Sequence, residues 1–309
     1  MNLTVLSRSP EIHTTRRIVE AARARGVRAR VIDPLEIKLD LGKRAPAAYW
    51  RGRRLRRPDV VVPRIGLSVH QYGLAVVNHL ELMGVPALNG AYGIAASRNK
   101  MRSLQMLAAA GVAVPRTVMA SEPGGIEEMV KLVGGVPVLV KLLSVSDRSG
   151  VMICESLQSL EAALEAILGL GQNIVVQQYL RGARGRDLRV LVVGGEVVAA
   201  MRRSALLGRF SPNLRRGARF EPVELSPGYV RPAVEAARVL QLEVCAVDML
   251  DVKDGPRVFE VNSSPSIREA EAACGVDVAG RIVDRAVTLA GVGRRARRVH
   301  GLAVGRALP

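Results

Sequence analysis

Cys245-Ala246-Val247-Asp248-Met249-Leu250-Asp251 is followed, after Val252 and the tetrapeptide Lys253-Asp254-Gly255-Pro256, by Arg257-Val258-Phe259-Glu260-Val261 and then Asn262. Two apolar, strand-forming runs flanking an Asp-Gly signal predict an antiparallel hairpin. With Asp254-Gly255 in the turn, counting outward brings Asp248 nearly opposite Glu260. Asn262, two residues beyond Glu260, shares that face. Two carboxylates and an amide oxygen would then converge on strands otherwise built from Val, Met, Leu and Phe. Like charges held opposite each other destabilise a sheet unless something compensates them. A hard cation with oxygen ligands does so, and two carboxylates with room for phosphate oxygens and water suit Mg²⁺. The competing reading is a pair of solvated acids at a hairpin mouth.

Working outward, Leu188–Val193 and Glu196–Met201 flank Gly194-Gly195, a second hairpin signal, so the C-terminal half reads as an antiparallel sheet in an α+β domain. The first ninety residues read differently. Leu3–Leu6, Arg28–Ile32 and Val60–Ile65 are strand candidates alternating with helical stretches at Thr14–Arg25 and Tyr72–Met83, which predicts a small parallel α/β domain. Between the two lie a helix over Lys100–Ala110, strands at Val112–Val118, Val138–Lys141, Gly150–Cys154 and Ile174–Tyr179, and helices near Ile126–Val133 and Leu160–Leu168. The expected division is residues 1–96, 97–180, 181–290 and a basic tail over 291–309, where no apolar period is long enough to pack.

The chain has 309 residues with 49% hydrophobic, 24% charged and 3% aromatic content, which excludes a disordered or low-complexity protein. No apolar run approaches the roughly 18 residues of a bilayer span, and the opening Met-Asn-Leu-Thr-Val-Leu-Ser-Arg reads as a strand rather than a secretory signal. A cytoplasmic protein without membrane association is expected, as a homo-oligomer. Cys154, Cys245 and Cys274 lack paired spacing, and His13, His70, His79 and His300 form no metal-like cluster, so both sets read as ordinary core or surface residues. The formal charge of +17 is local. Lys43–Arg57 holds seven basic residues and no acid, Arg181–Arg219 ten arginines against Asp187 and Glu196, and Gly291–Pro309 five arginines and no acid. Concentrated cations point to a polyanionic partner: nucleotide phosphates, an acidic peptide or RNA. Arginine used wherever a surface cation will serve is the plainer alternative.

Neither a Gly-x-x-x-x-Gly-Lys-Ser/Thr loop nor a Gly-x-Gly-x-x-Gly after a strand is present, so a nucleotide would be held by cations from separate elements, with Lys100 at a helix start and Lys141 at a strand end as candidates. At these residues the sequence resembles a known family. Val247-Asp248-Met249-Leu250 with Phe259-Glu260-Val261-Asn262-Ser263-Ser264-Pro265, preceded by Asn99-Lys100-Met101-Arg102-Ser103, Val140-Lys141 and Val176-Gln177-Gln178-Tyr179, resembles the ATP-grasp ligases. Leu6-Ser7-Arg8, Ile32-Asp33-Pro34-Leu35, Pro63-Arg64-Ile65-Gly66, Asp187-Leu188-Arg189 and Asn213-Leu214-Arg215-Arg216-Gly217 narrow it to the RimK type, which adds glutamate to the C-terminus of a small-subunit ribosomal protein. The resemblance runs from about Asn2 to Thr288.

The resemblance implies an ATP-grasp fold behind an N-terminal α/β domain, and an ATP- and Mg²⁺-dependent ligase that forms an amide through an acyl phosphate. It implies metal ligation by Asp248, Glu260 and Asn262, with Glu260 bridging two ions and manganese as a substitute. Lys100 and Lys141 would hold phosphates, Gln178 and Tyr179 would face the adenine, and Asp187 would take the ribose side. Ser211, Pro212 and Asn213 would approach the nucleotide, with Arg203 and Asn213 near the γ-phosphate, where fixed donors stabilise developing charge. Glutamate and an acidic protein or peptide are the implied substrates.

The sequence also departs from the family's pattern. Ser144-Val145-Ser146-Asp147-Arg148-Ser149-Gly150 keeps one glycine of a glycine-rich phosphate loop, and Val145 and Arg148 lack the conformational freedom of glycine. Gln178 replaces a Glu, Leu206 a Lys, Ser211-Pro212 an Arg-Ser and Ser266 a Gly. Three readings remain open: the RimK-type ligase, a ligase of the same fold acting on another peptide or carrier protein, and a non-catalytic ribosome- or RNA-associated protein. Nine aromatic residues in the chain disfavour a base-stacking platform, but leave phosphate contact through the basic segments open.

Overall fold

A computed structural model describes residues 1–42, 45–121, 125–142, 150–168, 174–183, 186–204 and 219–304. The N-terminal part is a parallel sheet in the order Arg28–Ile32, Asn2–Leu6, Val60–Pro63. Helices His13–Ala24 and His70–Leu82 cover it, as the alternation of strand and helix predicts. A small antiparallel sheet of Ile37–Asp40, Ala47–Trp50 and Arg53–Arg54 is added to it. The guanidiniums of Arg51 and Arg30 lie 4.8 and 5.9 Å from the Trp50 ring centroid, and the Trp50 indole donates to Glu36 at 2.8 Å.

Helix Ala91–Arg98 leads through Asn99 into helix Lys100–Ala109, and Asn99 caps the second helix by accepting from the Arg102 amide at 3.0 Å. A four-stranded antiparallel sheet follows, ordered Thr117–Ala120, Ile174–Gln178, Val138–Leu142, Val151–Cys154. Helices Ile126–Val133 and Leu157–Leu168 pack on it through Met129, Val133, Leu160 and Leu164. The strand expected over Val112–Val118 begins only at Thr117. Ahead of it, Val112 is buried and the Ala113 carbonyl accepts from Val258, so this stretch is an irregular connector tied to the larger sheet.

That larger sheet has five antiparallel strands in the order Arg219–Pro222, Glu196–Ser204, Arg186–Val193, Val244–Val252, Gly255–Asn262. Its central strands are apolar on both faces, and the period of two divides them between two cores. Val190, Val192, Cys245, Val247 and Met249 face helix Pro227–Val239. Leu191, Val193, Val244 and Ala246 share a core with the N-terminal sheet, helix His13–Ala24 and the C-terminal helix. The parity of this second set continues into Asp187, Arg189 and Asp248, where the face turns from apolar to charged. All three cysteines are free, with Cys154 and Cys245 buried.

The segment expected as a tail after Ala290 is helical instead: one helix runs from Val278 to Val304. Its first half is anchored by Val278, Ala279, Ile282, Val283, Ala286 and Ala290, spaced three and four apart and all buried. The alanines and arginines beyond favour helix once a packed turn has nucleated it, so continuation needs no apolar stripe of its own. Residues 305–309 lie outside the described residues. No helix among the described residues is long and apolar enough to cross a membrane.

Candidate active site

The hairpin that carries the carboxylates is built differently from the sequence expectation, yet with the same result. Val252 pairs with Gly255, so the turn is Lys253-Asp254. Counting straight from that turn would set Asp248 against Phe259. A β-bulge on the second strand takes up Phe259 between the pairs Met249 to Val258 and Asp248 to Glu260, and thereby restores the Asp248–Glu260 opposition. Asn262 pairs with Ala246 two residues further along, and its Oδ1 accepts from the Ser264 amide at 2.8 Å, which fixes the side chain beside Glu260.

Asp248 is fully buried and gripped by two arginines. Arg189, its register partner on the neighbouring strand, donates from Nε to Oδ1 at 2.8 Å and from Nη2 to Oδ2 at 2.7 Å. Nη2 of Arg203 lies 2.9 Å from Oδ2 of the same carboxylate, while Nε of Arg203 donates to Asp187 at 2.5 Å. Burial by itself would lower the Arg203 pKa, but Asp248 and Asp187 outweigh it and hold the guanidinium charged beyond its ordinary range. The arrangement is a buried row of alternating charge, Asp187, Arg203, Asp248, Arg189, in which each charge is neutralised by a neighbour.

Glu260 stands at the edge of this row. It is half-buried, has no ion pair among the described residues, and with Asn262, Lys100, Arg64 and Arg98 walls a cleft of about 340 Å³ between the two halves of the chain. The donors at the edge are carboxylate and amide oxygens only, which fits Mg²⁺ rather than a soft metal. No group of three or more His, Cys, Asp or Glu side chains that could hold a metal is assembled among the described residues.

The remaining expected residues are dispersed. Lys141 carries its ammonium 5.9 Å from the Phe259 ring centroid, so the bulged residue and the strand-end lysine meet across the two sheets. Gln178 has its amide oxygen 3.4 Å from the Arg116 amide, and Tyr179 follows it, half-buried, just past the strand. Ser266 donates to Glu269 at 2.7 Å at the entry to helix Arg268–Cys274. Ser211, Pro212, Asn213, Leu206 and Ser144–Ser149 lie outside the described residues, whereas Gly150 lies within them.

Sequence reasoning gave no role to Arg189, Arg64 or Arg98. Arg189 could have been found from strand parity, being two residues from Asp187 on the strand next to Asp248. Arg64 stood within a noted motif, but its place in the cleft depends on the packing of the two halves. That packing is specific: the buried Asn89 side chain donates to the carbonyls of Val244 (2.7 Å) and Ser263 (2.9 Å) and accepts from the Val244 amide (2.8 Å).

A parallel-sheet domain followed by two antiparallel sheets, with acids at the edge of the larger one, defines the ATP-grasp class. Solved structures share it. The ATP-grasp ligase PsnB in complex with a minimal precursor aligns with a TM-score of 0.75 at 24% identity over 93% of this chain and 98% of that one. D-alanine--D-alanine ligase from Bacillus anthracis in complex with ATP aligns at 0.67 and 18% over 96% and 99%. Residues 1–94 match the RimK PreATP-grasp domain and residues 97–286 the RimK-like ATP-grasp domain, and the chain belongs to this RimK-like family of ligases. Relatives named "Probable alpha-L-glutamate ligase" occur in Thioalkalivibrio sulfidiphilus, 44% identical over 92% of this chain and 94% of the relative, and in Methanococcoides burtonii, 41% identical over 97% and 100%.

Proposed function

We propose that this ligase uses ATP and magnesium to add glutamate to an acidic C-terminus, that of a small-subunit ribosomal protein or a comparable peptide. The observation that carries the reading is the opposition of Glu260, at the cleft edge, and the buried Asp248 behind it, backed by the charged row of Arg189, Arg203 and Asp187. Asp248, Glu260 and Asn262 would hold the metal, one ion or two, with manganese able to replace magnesium; when bound it would neutralise and align phosphate oxygens. Lys100 and Lys141 would bind phosphates, Gln178 and Tyr179 the adenine, and Asp187 the ribose side. Arg203 and Asn213, with Ser211 and Pro212 alongside, would face the transferring phosphoryl group. The substrate carboxylate takes the γ-phosphoryl of ATP, giving an acyl phosphate and ADP. The amine of glutamate then attacks the acyl carbon, phosphate leaves, and the amine proton passes to solvent or phosphate. No protein nucleophile takes part.

ADP release with Mg²⁺, glutamate and a peptide ending in glutamates tests the reading. The wild-type rate should exceed that of Glu260→Ala by roughly 100-fold or more, the scale of losing one preorganised electrostatic group; equal background rates would overturn it. Mass spectrometry of the acceptor then counts the residues added.

A second reading has its own observation. Arg30, Arg51, Arg53, Arg54 and Arg56 surround Trp50 in an open concavity that shares no lining residue with the cleft at Glu260, which favours a polyanion contact such as ribosomal RNA. Binding of ribosomes that weakens steeply with salt, and is lost on charge reversal of Arg53 and Arg54 with ligation intact, would support it. A cytoplasmic, homo-oligomeric protein fits both readings.

A further inference from the structure

The cleft that ends at Glu260 contains two guanidiniums without an acidic partner among the described residues. Arg64 donates through Nη2 to the carbonyls of Pro265 (2.7 Å) and Ser264 (3.3 Å), and Arg98 through Nη2 to the carbonyl of Ile65 at 2.5 Å. Among the described residues neither forms an ion pair. The Nε atoms of both, and Oγ of Ser263 on the facing wall, are buried without a hydrogen-bond partner. Burial, with the positive charge of Arg98 close by, pushes Arg64 down to about 10; Glu260 reaches Arg98 only through space. Two desolvated like charges that face one another are costly, and an anion entering the cleft between them relieves both the desolvation and the repulsion.

The size and position of the cleft restrict the anion. Its volume of about 340 Å³ lies at the lower end of the roughly 300–1,000 Å³ of ligand pockets, which suits an amino acid rather than a nucleotide. Its far wall is Glu260 and Asn262, where the acyl group is activated in the reading above. The acceptor carboxyl loses its charge on activation, whereas both carboxylates of the incoming amino acid survive the reaction. Permanent guanidiniums therefore match the incoming amino acid better than the acceptor carboxyl that is activated; the side-chain carboxylates of an acidic acceptor keep their charge, and the peptide KM tests for them. Resting on the ligase reading, we propose that Arg64 and Arg98, with Ser263, form the subsite that recognises a carboxylate of the incoming amino acid and holds its amine toward the Glu260–Asn262 edge.

The test compares wild type with Arg98→Gln and Ser263→Ala, each first shown to melt cooperatively. Substrates are ATP, Mg²⁺, a peptide ending in glutamates, and either glutamate, glutamine or isoglutamine, the last two each lacking one carboxylate. Arg98→Gln should raise KM for glutamate by roughly tenfold or more, leave KM for ATP and peptide within about twofold, and erase the wild-type preference for glutamate over the analogue lacking the recognised carboxylate. Ser263→Ala should show the same pattern more weakly. A change in peptide KM without one in glutamate KM, or an unchanged preference, would overturn the subsite while leaving the ligase reading intact. Glutamate should also raise the melting temperature of wild type with ADP and Mg²⁺ bound, and not that of Arg98→Gln. That shift decides the subsite even if the chosen peptide is not an acceptor, in which case only the ligase reading is in question.

Discussion

Arg189 and Asp248, paired in register on adjacent strands, are joined by two parallel hydrogen bonds of 2.8 and 2.7 Å, and the carboxylate so held is fully buried. A bidentate guanidinium fixes the plane of the carboxylate as well as its charge. Nη2 of Arg203 lies 2.9 Å from Oδ2, the same oxygen that accepts from Nη2 of Arg189, so Asp248 carries two cations. Arg189 thus fixes the orientation of the Asp248 carboxylate, and Arg203 links that carboxylate to Asp187.

Removal of Arg189 should therefore weaken the fold without unpairing Asp248. Arg189→Met is expected to cost about 2–3 kcal/mol, below the roughly 3–5 kcal/mol of breaking a buried pair outright, because Arg203 stays. Arg203→Met, which removes the Arg203 contacts to both Asp187 and Asp248, should cost more. Urea midpoints of the two variants check the order.

Asp248 and Glu260 should separate stability from activity. Asp248→Asn leaves the buried Arg203 and the half-buried Arg189 guanidiniums facing an amide and is expected to destabilise by about 3 kcal/mol or more. Glu260→Gln, at a half-buried position without an ion pair among the described residues, should shift the denaturation midpoint little while lowering ATP-dependent ligation by roughly 100-fold. Paired denaturation and rate measurements test both; an inactive but equally destabilised Glu260→Gln would contradict the assignment.

Asn89 should behave as the fastener between the N-terminal sheet and the larger sheet. Its three buried bonds satisfy both backbone groups of Val244 and the Ser263 carbonyl. Asn89→Ala leaves all three groups unsatisfied, for an expected loss of about 3 kcal/mol. Thermal unfolding is the measurement, with Asn89→Asp as a control that can accept from Val244 but cannot donate to the two carbonyls.

Glu81 gives the molecule an acid-side dependence. It is raised above the usual carboxylate range by burial, only partly offset by the bond from the Ala91 amide at 2.9 Å. A carboxyl that binds its proton more tightly when folded adds stability below its unfolded pKa, near 4.5, and that stability is lost as pH rises through the folded pKa. Wild type should consequently lose stability relative to Glu81→Gln as pH rises from below 4.5 into the neutral range. Parallel pH series of urea midpoints show whether the two curves diverge in that direction.

The strands around Asp248 and Glu260 were legible because each apolar run is bounded by a turn signal, and period-two alternation then assigns a face. The turn itself was not. The chain turns at Lys253-Asp254 and absorbs Phe259 in a bulge, a compensation between two irregularities that no pattern of residue types announces. The helix through Val304 was missed for a related reason: an arginine-rich stretch lacks an amphipathic period, and its continuation follows from the anchoring of Val278–Ala290 against the shared core.

By itself the sequence determined the strand–helix alternation of the first ninety residues, the two C-terminal hairpins, the place of the carboxylates on one of them and the family, because these depend on local periodicity and short motifs. The tertiary structure decided which cations meet which acids. Arg189 reaches Asp248 from 59 residues away, and Arg64 reaches the carbonyl of Pro265 from 201. Charge pairing of that kind is fixed by sheet register and by the packing of the two halves on each other, neither of which is encoded in the neighbours of any single residue.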